Sequence, residues 1–499
     1  MSKGNTSVAI LADGTRLEYV VKDNPPKGGM KYTYFTPDKS YVVQFFNDPE
    51  NARDINIHKR LEAIIGKYNP TLSEDLGGAR GNSESTAKYF QDRFCWPTAL
   101  VQSPEFGIVC PAYPKNYFFT ENSTTIDGYK EIIKGKDKKS TYFTSPKLSK
   151  YLAPSELGDF RTMLSVSINL ARAIRRMHQA GLAHSDLSCN NVLIDPQKGT
   201  CVVIDIDSLV VPGLYPPEVI GTSGYIAPEV LETLELPLDD PKRKLPCLYT
   251  DLHSMPVLIY EYLMQRHPLK GPKVYSTQSA EEDDFLALGP KATFIEHPTD
   301  HSNRPRDLSY TIKDLGPELE KLFVRTFVDG LHNPNERPTA MEWEKGLVKT
   351  WDMLYQCSNP NCSHKWFVLH DVHNPVCPFC KKKINEHEFV RLKFKSEIRG
   401  RTGQWVDAGE INAFDNMPLF KWHIFSNCFP DEKTERTLQA SVHKYQGNWI
   451  LVNRGVPGML SPSGNVVPIG QAVLLNDGTV FKASKEDKGY LIEATIVRV

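Results

Sequence analysis

The chain has 499 residues, with 59 Lys+Arg against 60 Asp+Glu and a formal charge of −1. At roughly 150 residues per domain this length predicts about three domains, and 40% hydrophobic with 24% charged residues is ordinary soluble composition rather than membrane, collagen-like or disordered composition. The charge balance argues against a nucleic-acid backbone as main partner, which shows as strong basicity. No run approaches the ~20 apolar residues that span a bilayer, and residues 1–12 lack the apolar core of a secretory signal. Cysteines stand singly at 95, 110, 189, 201, 247 and 428, while four cluster at 357, 362, 377 and 380. That distribution predicts a reducing, cytoplasmic setting with one metal site rather than a disulfide framework.

Residues 8–21 alternate around Asp13-Gly14, a hairpin signal, and a second hairpin is predicted from Lys31–Thr36 and Tyr41–Phe46. Residues 50–66 predict one amphipathic helix, with Ile55, Ile57, Leu61, Ile64 and Ile65 on or near one side. The polar, Gly/Ser-rich stretch 69–92 predicts a loop, and Phe106–Cys110 a strand. Residues 159–180 predict a long helix, since Leu164, Ile168, Ala171, Ile174 and Met177 recur at 3–4 spacing. Two short strands follow, Asn191–Ile194 and Cys201–Ile204, around the turn Asp195–Gly199. Helices are predicted near 251–265, 317–330 and 338–354, and the Pro-containing stretch 271–306, with its acidic Glu281–Asp284, predicts a loop. From about 389 the pattern is all β: Phe389–Lys395, Trp422–Phe425, Leu438–His443, Trp449–Asn453, Ala472–Leu475, Thr479–Lys482 and Tyr490–Val497. The fold class is multidomain α+β.

Chemistry enters at His184-Ser185-Asp186-Leu187-Ser188-Cys189-Asn190-Asn191, where an Asp precedes an Asn by five residues directly after the long helix. Asp205 follows the apolar run Val202-Val203-Ile204, fourteen residues past Asn191. Phosphoryl transfer needs a carboxylate to orient the attacking hydroxyl and oxygen ligands to hold Mg²⁺ on the phosphates. One loop and its neighbouring hairpin supply all three groups.

This arrangement resembles the protein-kinase family over roughly residues 8–350. The resemblance implies a bilobal fold, with Asp186 as catalytic base, Asn191 as a metal ligand and Asp205 as the main ligand of Mg²⁺ (or Mn²⁺) bound with ATP. Gly221–Glu229 (GTSGYIAPE) is similar to the end of an activation segment. Arg337 matches the buried arginine that pairs with Glu229, and Asp251 matches the helix Asp that anchors the catalytic loop. Pro111, Ala112 and Tyr113, after Cys110, match the adenine-binding hinge.

Several positions depart from the family pattern. The strand lysine expected near the α- and β-phosphates is Gln44, a neutral amide. The phosphate loop Pro25-Pro26-Lys27-Gly28-Gly29-Met30-Lys31 has two adjacent glycines in place of a spaced triplet. Lys31 is the first candidate to supply the missing charge and Lys27 the second. The partner glutamate is Glu62, or the helix register presents His58 or Asp54 instead. Ser185 replaces the arginine that docks a phosphorylated activation loop, which argues against control by that route. Asp207, in Asp205-Ile206-Asp207, is read as a turn cap, with a further metal ligand as the alternative.

Cys357-x4-Cys362 and Cys377-x2-Cys380 lie on tight turns able to bring four thiolates around one Zn²⁺. The segment is similar to a zinc ribbon, and a closed Cys₄ shell makes its metal structural. The stretch Trp449–Ala483 is similar to forkhead-associated domains, with an OB-type barrel as the alternative. Ser441 and His443 stand too close for the phosphopeptide signature, and no Gly-Arg clamp precedes them, so no ligand is assigned. The expected layout is a kinase-like domain at 1–354 (N-lobe about 1–113, C-lobe about 114–354), a zinc ribbon at 355–384 and a β interaction module at 385–499. It resembles Ser/Thr kinases of bacterial tellurite-resistance and stress-response operons, which implies a protein substrate and, as partners, a von Willebrand A protein and a PP2C-type phosphatase. A pseudokinase scaffold and a kinase-fold enzyme with a non-protein acceptor are the competing expectations. Nucleic-acid binding rests only on the ribbon and an OB-type barrel, and no membrane partner is expected.

Overall fold

The computed structural model describes residues 5–28, 30–80, 82–123, 132–211, 221–237, 239–373, 375–431, 434, 436–486 and 488–499. Of the residues singled out above, Gly29 lies outside this set. The chain divides into two compact units, Met1–Lys313 with Glu318–Leu347, and Asp314–Pro317 with Val348–Val499.

The first unit opens on a six-stranded antiparallel sheet ordered β2-β1-β5-β6-β4-β3. Its strands are β1 (Thr6–Leu11), β2 (Arg16–Val20), β3 (Lys31–Phe35), β4 (Tyr41–Phe46), β5 (Ala99–Ser103) and β6 (Gly107–Pro111). Both predicted hairpins form, the first through Gly14 at φ +85°. The sheet buries both faces, so β4 is apolar in both of its alternating sets. Val43 and Phe45 join Ala9, Leu11, Tyr19 and Val109 on one side. Val42 and Phe46 meet Ile57 and Leu61 on the other. Gln44 belongs by alternation to the second set.

The predicted helix 50–66 is two helices, α1 (Pro49–Arg53) and α2 (Ile55–Ile65). Asp54 breaks them apart: its backbone is extended, and its carboxylate caps α2 by accepting from the Asn56 N–H. The predicted loop 69–92 holds a further helix, α3 (Glu84–Gln91), capped by Ser83 and burying Ala87 and Phe90. Its serines serve the helix end rather than a loop.

Beyond two short segments, α4 (Pro146–Ser149) and a 3₁₀ turn at Pro154–Glu156, comes the long helix α5 (Phe160–Gln179). Asp159 and Thr162 close a capping box at its start. The hairpin β7 (Val192–Asp195) and β8 (Thr200–Val203) packs against α5. The short α6 (Pro228–Leu231) leads to α7 (Leu248–Met264), buried along nearly its whole length. The predicted loop 271–306 contains α8 (Ala280–Leu288), where the acidic run occupies the first turn, the favourable end for negative charge. Then come α9 (Pro317–Val324) and α10 (Ala340–Trp351), with a π-helical turn at Arg325–Asp329 after α9.

The second unit contains β9 (Leu354–Gln356) paired with β10 (Trp366–Val368), and two four-stranded sheets. One is ordered β12-β11-β18-β17, from β11 (Glu388–Glu397), β12 (Trp405–Ala413), β17 (Thr479–Lys482) and β18 (Leu491–Arg498). The other is ordered β13-β14-β15-β16, from β13 (Met417–Phe420), β14 (Leu438–Tyr445), β15 (Asn448–Asn453) and β16 (Ala472–Leu475). Both sheets contribute to one core, including Leu392, Ile411 and Ile492 from the first and Leu419, Val442 and Leu451 from the second. The predicted strand Trp422–Phe425 is instead a helical turn, α11 (Lys421–Ile424). The His423 ring accepts from the Phe420 N–H and closes that turn.

Arg337 and Glu229 meet in a two-pronged pair, Nη1–Oε1 and Nη2–Oε2 both 2.8 Å. The guanidinium is fully buried and also donates to the carbonyls of Gly330, Tyr249 and Leu331. Glu229→Ala strands that charge without its counter-ion, and we expect a loss of about 3–5 kcal/mol in urea unfolding of the full chain.

Candidate active site

Asp251, on α7 and fully buried, is the anchor of the site. Its Oδ2 accepts from the His184 N–H at 2.9 Å and from His178 Nε2 at 3.0 Å. The His184 ring then spans two elements: Nε2 donates to the Ile204 carbonyl at 3.0 Å, and Nδ1 accepts from the Asp186 N–H at 3.2 Å. Those two bonds require the neutral Nε2–H tautomer. One imidazole thereby ties the loop carrying Asp186 to the end of the strand carrying Asp205.

Asn191 fixes the Asp186 side of the loop. Its Nδ2 donates to the Asp186 carbonyl at 2.8 Å and to Oδ2 at 2.9 Å, which turns its own amide oxygen the other way. The Asp186 Oδ1 accepts from the Thr222 hydroxyl at 2.7 Å. A hydroxyl therefore already donates to the carboxylate proposed to receive a substrate hydroxyl's proton. Ser185 turns inward, its Oγ donating to the Ser208 carbonyl, so a short local bond stands where the family places an arginine.

Asp205 adopts a left-handed backbone, φ +58°, ψ +39°, that turns the chain sharply after β8. Burial, then the neighbouring Asp207 charge, pushes its carboxyl above the usual range, with Lys31 acting in the opposite sense. Asp207 does not cap the turn: its carboxylate forms an ion pair with Lys31, both side chains nearly buried at 13% and 10% exposure. Burial works against both charges. The ammonium nevertheless holds the Asp207 carboxyl below its ordinary value, and Asp207 chiefly raises Lys31.

Strand register explains how Lys31 arrives. Lys31 pairs with Phe46 and Thr33 with Gln44, so Lys31 and Gln44 share a face, diagonal across adjacent strands. The Lys31 ammonium crosses the Phe46 ring at 5.3 Å. The Gln44 amide donates to Thr33 Oγ1 at 3.2 Å, and its carbonyl lies 3.8 Å from Cys110 Sγ. Lys27 is exposed and sits over the Tyr32 ring at 5.2 Å, and the Gly28 N–H donates to the Lys31 carbonyl. Of the three candidate partners on or beside α2, Asp54 is an exposed cap, His58 bonds the Ala52 carbonyl and Glu62 is exposed. The buried charged residue of α2 is Arg60, 4% exposed beside the apolar Ile57, Leu61 and Ile64, and the sequence reading missed it. At the hinge Pro111 has no N–H, and the Ala112 N–H is taken by the Ser40 carbonyl at 2.9 Å. Among the described residues the Tyr113 N–H has no such partner.

The sites for the implied metals can be tested by their donors. Asp205 and Asp207 place two carboxylates together in a buried turn, where burial and then the Asp207 charge raise Asp205, and a divalent cation there would favour its ionised form. The Asp205 carboxylate and the amide oxygen of Asn191, whose Nδ2 is taken by Asp186, fit Mg²⁺, which favours oxygen ligands. In the second unit, the Sγ atoms of Cys357, Cys362, Cys377 and Cys380 all lie within 4.8 Å of one another, with two pairs at 3.5 and 3.9 Å. A tetrahedron of Zn–S bonds of ~2.3 Å has edges near that length, and a disulfide at ~2.05 Å is excluded. All ten cysteines are free thiols. Elsewhere in that unit Ser441, His443 and Arg454 hydrogen-bond to one another, because residues i and i+2 share a strand face. Among the described residues no helix is long and apolar enough to cross a membrane.

Residues 134–345 match the family model described as the protein kinase domain. Among curated proteins, the probable serine/threonine-protein kinase RTK1 of Saccharomyces cerevisiae is 29% identical over 135 residues, 24% of this chain and 20% of that protein. The human anti-Muellerian hormone type-2 receptor is 30% identical over 129 residues, 21% of this chain and 22% of the receptor. The chain thus spans about a fifth of the length of these relatives. Among solved structures, a specific rhoptry antigen kinase domain of Toxoplasma gondii is 13% identical, with 70% of this chain and 87% of that chain covered at a TM-score of 0.40.

Tyr225, just past Thr222, donates to Glu261 Oε2 on α7 at 2.6 Å and pins the segment to the core. Burial holds the Glu261 carboxyl up at about 8, against an ordinary 4.5, although Tyr225 and Lys270 favour its charge. The folded chain therefore keeps a proton that the unfolded chain releases, so this group's stabilisation is full at low pH and fades as pH rises through about 8. Glu261→Gln, which keeps an acceptor for Tyr225, should flatten the fall in unfolding temperature between about pH 5 and 8.

Proposed function

We propose that the chain is an ATP-dependent protein serine/threonine kinase that transfers the γ-phosphate to a protein hydroxyl. The observation that carries this is the His184 imidazole tying the Asp186 loop to the turn of Asp205, with Asn191 bonded to Asp186 and a lysine ammonium entering from β3. Asp186 orients the acceptor hydroxyl and takes its proton. Asn191 and Asp205 would hold Mg²⁺, which when bound neutralises charge on the β- and γ-phosphates. Lys31 supplies positive charge from the face where Gln44 replaces the strand lysine. Pro111, Ala112 and Tyr113 would line the adenine, with the Tyr113 N–H as donor.

Within the second unit, we assign residues 355–384 to a zinc ribbon whose metal is structural, and residues 385–499 to a β module that recruits partners or substrate. A von Willebrand A protein and a PP2C-type phosphatase are the partners to test first by co-purification. The engaged, neutral Gln44 amide favours one competing reading, a pseudokinase scaffold.

Transfer of γ-labelled phosphate to the chain or a generic Ser/Thr substrate should be abolished by Asp186→Asn, a loss of about 10²–10⁴-fold. Lys31→Ala should cost about 10²–10³-fold. Absence of transfer with Mg²⁺ and Mn²⁺, with nucleotide still bound, favours the scaffold. The purified chain should carry about one zinc by elemental analysis, and Cys377→Ser should lose it together with the local fold.

A further inference from the structure

The usual arrangement of a kinase site, as the family resemblance implies it, pairs the phosphate-contacting lysine with a carboxylate on the helix that follows. Here that helix, α2, presents the opposite sign. Glu62 faces solvent, whereas Arg60 is buried. The carboxylate that meets the Lys31 ammonium comes from the turn after β8, at Asp207.

Building on Lys31 as the phosphate cation, we propose that Asp207 is the positioning residue for that lysine. Lys31 is thereby held by the same turn that carries Asp205, and α2 contributes no carboxylate to the site.

Three observations support this. Asp207 and Lys31 are nearly enclosed, so the pair has few competing partners in water. Ile206, between the two carboxylates, is 1% exposed and fastens the turn into the core, which fixes Asp207 relative to Asp205. The 3₁₀ turn Ile206–Ser208 is held from the other side by Ser185 and by paired backbone bonds between Ala183 and Val210. The lysine and the metal-binding carboxylate are therefore positioned by one rigid segment. Displacing α2, which in a Lys–Glu design withdraws the glutamate, leaves the Lys31–Asp207 contact in place.

The test uses the full chain and two readouts. In the first, Lys31 acylation by a small amine reagent is followed by mass spectrometry without nucleotide. Asp207→Asn should speed it at least tenfold, Asp207→Glu should restore protection, and Glu62→Ala should leave it unchanged. In the second, steady-state transfer is measured with ATP varied. Asp207→Asn should lower kcat ten- to a hundredfold, Asp207→Glu should recover part of it, and Glu62→Ala should stay within twofold of wild type. Circular dichroism melting of each variant separates loss of fold from loss of positioning. Equal acylation of Lys31 in wild type and Asp207→Asn overturns the pairing. Wild-type kcat in Asp207→Asn, or a loss in Glu62→Ala as large as that in Lys31→Ala, overturns the positioning role. A wild-type chain without transfer overturns the kinase reading instead and leaves the pairing to be decided by acylation.

Discussion

The candidate site depends on one buried carboxylate. Asp251 has no solvent exposure, and its Oδ2 accepts two hydrogen bonds, from the His184 backbone and from the His178 ring. Burying a carboxylate is costly unless it is hydrogen-bonded, so a loop that supplies donors is held in place by the same need. From that anchor the order follows: His184 fixes both Asp186 and Ile204, and Ile204 precedes Asp205. The proposed base and the proposed metal ligand are thus tied by that ring and by the bond from the Ile204 N–H to the Asn191 carbonyl, not held on two independent loops. Precise placement matters because phosphoryl transfer asks the protein for little besides positioning and electrostatics.

Charge is distributed in an unusual way around that frame. Two carboxylates, Asp205 and Asp207, occupy one tight turn, where like charges disfavour each other's ionisation. The Lys31 ammonium resolves the conflict unequally, keeping Asp207 ionised and leaving Asp205 with the raised pKa. Asp207 is therefore the carboxylate paired with the ammonium, and Asp205 the one that the ion pair leaves available. The neutral Gln44 belongs to the same logic. A second lysine there would share a face with Lys31, diagonal on the neighbouring strand, and its ammonium would repel the one that Asp207 already pairs.

Much of this was legible in the sequence because it is local. The hairpins around Gly14 and at 31–46, the long helix α5 and the β7–β8 pair follow from alternation and helical spacing over short windows. The cysteine quartet was legible because metal ligands come in tight, spaced pairs. Elsewhere the local signal pointed the wrong way. The serines near 83 and 279 and the acidic run at 281–284 looked like loop composition but cap and begin helices. Strands β5, β9, β10, β12 and β13 were missed, and Trp422–Phe425 was read as a strand although its aromatic residues wind into a helical turn. The Lys31–Asp207 pair joins residues 176 positions apart, so Asp207 looked like a turn cap from its neighbours alone. Strand register, which places Lys31 beside the position of Gln44, was the signal that could have found the lysine's path. Arg60 lies three residues past Ile57 and four before Ile64, on the buried face that apolar spacing marks, but a charged side chain on that face carries no apolar signal.

The central claim is that the Asp186–Asn191 loop and Asp205 form a metal-assisted nucleotide site. Its most direct measurement is calorimetric titration of a non-hydrolysable ATP analogue into the full chain, with and without Mg²⁺, for wild type and Asp205→Asn. Binding that tightens with Mg²⁺ in wild type and loses that dependence in the variant is the predicted result. Binding indifferent to Mg²⁺ in wild type, or equally Mg²⁺-dependent in Asp205→Asn, would contradict it.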